Sequence, residues 1–250
     1  MRPDFQNNQG QKITAKDHQI LVDPELGISP EKNWFAASFW QQKNAVIGHS
    51  KGRYTTHFVR HDLANSKTLD MVLRHYYRGG LVGKVTLDKF FFSGFDSTRA
   101  FKEFTMLMQM RELNLPVPRP VAALVTKASL LFCRNDILIE KIENAKDGYQ
   151  LLTLNPFNEQ QWQNIGATIK QFHHQGVFHS DLNIHNIMMD DQDKIWLIDF
   201  DRCEFRKPDV TWQQANLARL KRSLNKELTL QRDFHFTERN WQHLLQGYNR

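Results

Sequence analysis

Two short apolar runs, Ile187-Met188-Met189 and residues 195–200, flank the polar stretch Asp190-Asp191-Gln192-Asp193-Lys194. Apolar runs divided by a segment of turn-forming residues predict a β-hairpin. This is a strong constraint, because a hairpin turns the chain back on itself and sets Asp199, near the end of the second run, beside Asn186, which precedes the first. Asp181 stands five residues before Asn186, in His179-Ser180-Asp181-Leu182-Asn183-Ile184-His185-Asn186. Three side chains with oxygen donors are thus expected around one point.

The aspartate, the asparagine at that offset and the Asp199-Phe200 dipeptide match the H-x-D-x-x-x-x-N loop and D-F-x element of kinases. In such a loop Asp181 orients or accepts the proton of an attacking hydroxyl. Asn186 and Asp199 supply hard oxygen ligands to Mg²⁺ on the phosphates of ATP. A lone H-x-D is a common chance match. The reading rests on the coincidence of offset, dipeptide and hairpin. His179 is read as fixing the loop backbone rather than moving protons.

The chain has 250 residues, 40% of them hydrophobic, enough for a substantial core. A formal charge of +6 and a pI near 9.3 favour anionic partners such as nucleotides, nucleic acids or phosphorylated lipids. The only cysteines, Cys133 and Cys203, offer neither zinc spacing nor a disulfide framework, so a reducing cytoplasm is expected. No apolar stretch has the length of a signal peptide or a spanning helix.

Trp34, Phe35, Phe39 and Trp40 are spaced for one helical face, which either packs on the core or meets lipid. Strands are expected at 45–48 and 54–60. The turn between them, residues 49–53, lies where a kinase lays a glycine-rich loop over phosphates, and Gly48 and Gly52 are the candidate glycines of that pattern, although two glycines suit an ordinary hairpin as well. No G-x-x-x-x-G-K-[ST] occurs, which argues against a P-loop enzyme. A strand at 69–77 places Arg74 where kinases hold phosphates with lysine, and Lys84 is its rival. A helix at 98–113 carries Glu103 among apolar residues, where a carboxylate needs a cation such as that phosphate-binding residue.

The prolines at 116, 118 and 120 end that helix, and strands follow at 121–126, 130–133 and 136–142. Glu140, Lys141 and Ile142 are candidates to line an adenine pocket through backbone groups. Further helices are expected at 159–174, stopped by Gly176, then at 212–228 and 238–248. The fold class is α+β, a two-lobed protein-kinase-like fold. Residues 1–144 form a β-rich nucleotide-binding lobe with an N-terminal extension, and 145–250 a helical catalytic lobe. The segment after Asp201 is too short for the helical subdomain of an ordinary protein kinase, and no Ala-Pro-Glu appears.

Several segments resemble one kinase family in particular. They are Val72-Leu73-Arg74-His75-Tyr76 with Arg78-Gly79-Gly80, residues 98–104, Leu115-Pro116-Val117-Pro118-Arg119-Pro120, residues 179–186 and Leu197-Ile198-Asp199-Phe200-Asp201-Arg202. With them the chain is similar to the 3-deoxy-D-manno-octulosonic acid (Kdo) kinases of lipopolysaccharide synthesis. The resemblance implies ATP- and Mg²⁺-dependent phosphorylation of a Kdo hydroxyl, the 4-hydroxyl, on a Kdo-bearing lipid A precursor. It also implies peripheral attachment to an anionic membrane surface, the cytoplasmic face of the inner membrane.

Asp201 replaces the glycine of D-F-G, so the glycine-dependent flip that switches some protein kinases is not expected, and Ser180 replaces an arginine frequent in protein kinases, which removes one route for regulation by activation-loop phosphate. Rival readings are another sugar or aminoglycoside phosphotransferase and a nucleotide-binding scaffold. Nucleic acid is not an expected partner, because no nucleic-acid motif occurs. Arg60, Arg78 and Lys84 are candidates to grip the acceptor.

Overall fold

The computed structural model describes residues 10–51, 55–63, 66–78 and 88–250. The chain divides into two compact units. The first holds the described residues up to Gln109 together with Arg119–Lys141, the second Met110–Pro118 and Ile142–Arg250.

The first unit is built on an antiparallel sheet of β1 (Gln11–Thr14), β2 (His18–Val22), β3 (Val46–Lys51), β4 (Thr55–Asp62), β5 (Thr68–His75), β6 (Phe90–Phe91), β7 (Pro120–Lys127) and β8 (Phe132–Glu140). The main path runs β1-β2-β7-β8-β5-β4-β3, with β6 also paired to β8. The central strands β7 and β8 read as nearly continuous apolar runs because Ala122, Ala123, Val125, Ile137 and Leu138 are wholly buried.

Several expectations need correction here. Residues 130–133 and 136–142 do not make two strands. β8 runs through the polar pair Arg134-Asn135, since buried Asn135 is satisfied there: its Oδ1 accepts from Ala100 N at 3.2 Å and its carbonyl from Tyr76 N at 3.0 Å. Leu130 and Leu131 instead form the exposed turn before β8. β3 extends through His49, Ser50 and Lys51, paired with His57, Thr56 and Thr55, so those residues are strand and not turn. Strand β5 stops at His75, two residues short of the expected end.

The aromatic cluster lies on two short helices rather than one, a 3₁₀ turn at Lys32–Phe35 and α1 (Ala37–Gln42). Trp34, Phe35 and Trp40 are buried with Ile20, Val59, Met71 and Leu138, and Trp40 Nε1 donates to the Trp34 carbonyl at 2.6 Å. Core packing accounts for them, and the indoles have no face left for lipid. β1 and β2 precede the cluster in a segment to which the sequence reading gave no strand. α2 (Arg99–Glu112) follows β6 and lays Phe101, Phe104 and Leu107 in the core.

In the second unit α3 (Gly148–Leu154), also unforeseen, precedes α4 (Glu159–His174). α4 begins at a capping box of Asn158 and Gln161 and ends before Gly176, whose φ of +76° suits a residue without Cβ. Trp162, Ile165, Ile169 and Phe172 form its buried stripe. After the segment 179–201 come α5 (Val210–Leu230) and α6 (Glu238–Asn249). α4 and α6 meet backbone to backbone: a Cβ on Gly166 would lie 1.9 Å from the Leu244 carbonyl oxygen, and one on Gly247 2.0 Å from that of Gln163.

Candidate active site

The hairpin expected from the two apolar runs is present. Its strands are Ile187–Met189 and Ile195–Leu197, with Ile187 opposite Leu197, and a short strand at Lys146–Asp147 adds to its edge. The second arm is shorter than expected, because residues 198–200 leave the ladder. Ile198 N still donates to the Asn186 carbonyl at 3.1 Å, so Asp199 follows directly on a residue tied to Asn186. Asp199 has a φ of +63°, a left-handed conformation that costs free energy in a non-glycine residue and is found at sites the surroundings over-determine.

The loop that carries Asp181 is held from within. Asn186 Nδ2 donates to the Asp181 carbonyl at 3.0 Å, which turns the amide oxygen of Asn186 into the group available to a cation. Asn183 Nδ2 donates to the same carbonyl at 3.0 Å and to Asp181 Oδ2 at 3.2 Å. His179 is buried. Its Nδ1 accepts from Asp181 N at 3.2 Å, which leaves the ring proton on Nε2, and Nε2 donates to the Ile198 carbonyl at 3.0 Å. Burial holds its pKa below the usual histidine value, in keeping with this neutral tautomer. His179 thus ties the loop to the strand end before Asp199.

A second support comes from α5, and the sequence reading missed it. Asn216 Oδ1 accepts from His179 N at 3.3 Å while its Nδ2 donates to the His179 carbonyl at 3.1 Å. Ser223 Oγ accepts from Ile184 N at 3.3 Å, and Glu227 lies 3.3 Å from His185 Nε2. Arg219 Nη1 donates to Asp181 Oδ1 at 2.9 Å. Residues 216, 219, 223 and 227 recur at helical spacing on one stripe, so a single face of α5 grips the loop at four residues. Polar residues repeating beside Leu217, Leu220 and Leu224 were the available signal.

For a divalent cation the donor set fits. Asn186 and Asp199 offer the hard oxygens Mg²⁺ prefers, and a kinase completes the shell with phosphate oxygens and water. Among the described residues no cluster of three or more His, Cys, Asp or Glu exists that would mark a different metal site.

The first unit holds the other candidates. Arg74 lies on β5 opposite Ile137, and its Nη2 pairs with both carboxylate oxygens of buried Glu103 on α2. Tyr76, which the sequence reading passed over, donates its hydroxyl to Glu103 Oε2 at 2.5 Å and accepts from Arg74 at 3.3 Å. Burial first, and Glu103 next, push the Tyr76 pKa well above the ordinary phenol value, so it serves as a neutral donor.

Gly48 stands inside β3 opposite Phe58, beside a register shift. Gly52, the rival Lys84, Gly79 and Gly80 lie outside the described residues. Glu140 ends β8 and commits its N–H to the Arg119 carbonyl at 2.8 Å, so that donor does not face an adenine. Arg60 places its fork on Asp70 at 2.6 and 2.8 Å, while Arg78 lies over the Phe90 ring at 5.5 Å.

Residues 37–248 match the model of the lipopolysaccharide kinase (Kdo/WaaP) family. A 3-deoxy-D-manno-octulosonic acid kinase of Photobacterium damsela subsp. piscicida is 43% identical over 234 residues, 94% of this chain and 95% of the relative. One from Mannheimia succiniciproducens is 42% identical over 241 residues, 95% and 98% respectively. One from Vibrio vulnificus (strain YJ016) is 44% identical over 230 residues, 92% and 94%. A solved structure described as WaaP in complex with acyl carrier protein aligns over 92% of this chain and 88% of its own at 15% identity, with a TM-score of 0.52, and shares the fold.

Proposed function

Because the chain belongs to the lipopolysaccharide kinase (Kdo/WaaP) family, we propose that this kinase transfers the γ-phosphoryl group of ATP to the 4-hydroxyl of Kdo on a lipid A precursor. The observation that carries the reading is the junction of Asp181, Asn186 and the hairpin end at Asp199 in one hydrogen-bonded loop.

Asp181 orients the acceptor hydroxyl and takes its proton as the new oxygen–phosphorus bond forms and ADP departs. Asn186 and Asp199 are the residues that would hold Mg²⁺, which when bound neutralises charge on the phosphates. His179 and α5 keep the Asp181 backbone in place, so the reacting groups need little reorganisation. We assign Arg74, steadied by Glu103 and Tyr76, to the nucleotide phosphates.

A lipid-linked acceptor calls for access to a membrane. Among the described residues no helix is long and apolar enough to cross one. We infer peripheral attachment to the cytoplasmic face of the inner membrane, and the β7–β8 turn supports contact with a membrane surface. Leu130 is 95% exposed, Leu131 57% and neighbouring Phe91 64%, and the chain's net positive charge suits anionic lipid.

The test is transfer of labelled γ-phosphate from ATP with Mg²⁺ to a Kdo-bearing lipid A precursor, beside the same lipid without Kdo and an aminoglycoside. Labelling confined to the first supports the reading. Labelling of the aminoglycoside alone replaces it with a different phosphotransferase.

A further inference from the structure

We propose that Arg219 binds the carboxylate of the acceptor sugar acid, so that the side chain resting on Asp181 is also the one that recognises the acid group. This rests on the acceptor reading above.

Arg219 is placed with unusual definition for a surface arginine. The stripe of α5 on either side of it is fixed to the catalytic loop by Asn216 on His179, Ser223 on Ile184 and Glu227 on His185. Its own contact with Asp181 Oδ1, at 2.9 Å, uses one of five guanidinium N–H donors, and Asn183 holds the other carboxylate oxygen. Both partners are half exposed, Arg219 at 47% and Asp181 at 58%, so the remaining donors are open to a ligand.

A hydroxyl delivered to Asp181 brings the rest of its sugar ring against that fork. Kdo is an acid, and its carboxylate is separated from the ring hydroxyls by less than the width of one sugar. A planar guanidinium pairs with a carboxylate through two parallel hydrogen bonds, which an ammonium cannot reproduce. One turn further along the same face Arg222 is exposed and makes no ion pair among the described residues, which makes it a charge-matched control.

The experiment measures kcat and KM for the Kdo-bearing lipid and for its analogue with the carboxylate reduced to an alcohol, in the wild type, R219Q, R219K and R222Q. The wild type should prefer the acid by about 10- to 100-fold in kcat/KM, the range expected for a charged hydrogen-bonded pair. R219Q should bring that ratio close to one, through a raised KM for the acid with KM for ATP unchanged. R219K should restore it partly and R222Q should keep it.

An R219Q enzyme that slows on both acceptors but retains the wild-type ratio would show that Arg219 acts only through Asp181, and overturns the proposal. So does an equal loss of preference in R222Q, which would assign the effect to the general field of the helix. A wild type that phosphorylates neither lipid removes the acceptor reading itself, and this proposal with it.

Discussion

Arg74 and Glu103 meet through a single nitrogen: Nη2 of the arginine faces both oxygens of a carboxylate that is almost wholly buried. The second claim on Glu103 comes from the Tyr76 hydroxyl. Removing the carboxylate therefore takes a buried charged partner away from both Arg74 and Tyr76. Glu103→Ala should cost about 3 kcal/mol or more in unfolding free energy, as expected when one member of a buried pair is deleted. Arg74→Lys keeps the charge but loses the planar fork, and should raise KM for ATP about 10-fold with a smaller change in melting temperature. Denaturant unfolding and ATP titration of the rate separate the two effects.

Asp181→Ala should lower kcat by about 10²- to 10⁴-fold, the range for a lost acid or base, with KM for ATP little changed. Asp199→Asn should instead raise the Mg²⁺ concentration needed for half-maximal rate. A metal titration of the rate distinguishes the two variants, and an unaltered Mg²⁺ requirement in the second would take Asp199 out of the cation's shell.

The contact between α4 and α6 leaves no space for a methyl group at either glycine. Gly166→Ala and Gly247→Ala raise helix propensity, yet each should destabilise by roughly 3 kcal/mol, since the atom in the way is backbone and cannot rotate aside. Thermal unfolding checks this. A gain in melting temperature would mean that the helices can part at little cost.

His173 on α4 is buried against Tyr248, and desolvation, partly opposed by its hydrogen-bonding contact with Asn216, lowers its pKa from 6.5 to about 4. The unfolded chain then binds the proton more readily than the folded one between those values. Stability from this group is complete above about pH 6.5 and falls as pH drops towards 4, by up to about 3 kcal/mol. Unfolding curves recorded across that window should show the decline in the wild type, and a shallower one in His173→Gln.

The exposed turn before β8 gives a separate test of membrane attachment. Replacing Leu130 and Leu131 by serine should weaken sedimentation with anionic phospholipid vesicles by about 10-fold or more, given some 1.5 to 3 kcal/mol per fully buried leucine, while transfer to a detergent-dispersed acceptor is retained. Unchanged vesicle binding would move the attachment elsewhere on the surface.

The parts of the site that a reader of the sequence can find are those encoded within a few residues. Asp181, Asn186 and Asp199 are joined by a local hairpin, and the helix at 159–174 carries both its cap and its stop in the chain. Glu103 was legible because a carboxylate in an apolar stripe requires a cation. What escaped depends on distant partners. Asn135 reads as a strand breaker until the N–H of Ala100 is seen to occupy it. Trp34 and Trp40 suit a lipid surface as well as a core until β4 and β5 cover them. Arg219 is one of several basic residues on a long helix, and nothing within α5 says which of them reaches a loop thirty-eight positions earlier.

The grip of α5 on the catalytic loop ties two properties that an engineer would wish to alter separately. A chimera that takes α5 from a kinase of different preference imports new partners for residues 179, 181, 184 and 185 along with any new acceptor contacts. Changes of substrate in this scaffold should therefore succeed when helix and loop are exchanged as one cassette, and should cost turnover when either travels alone.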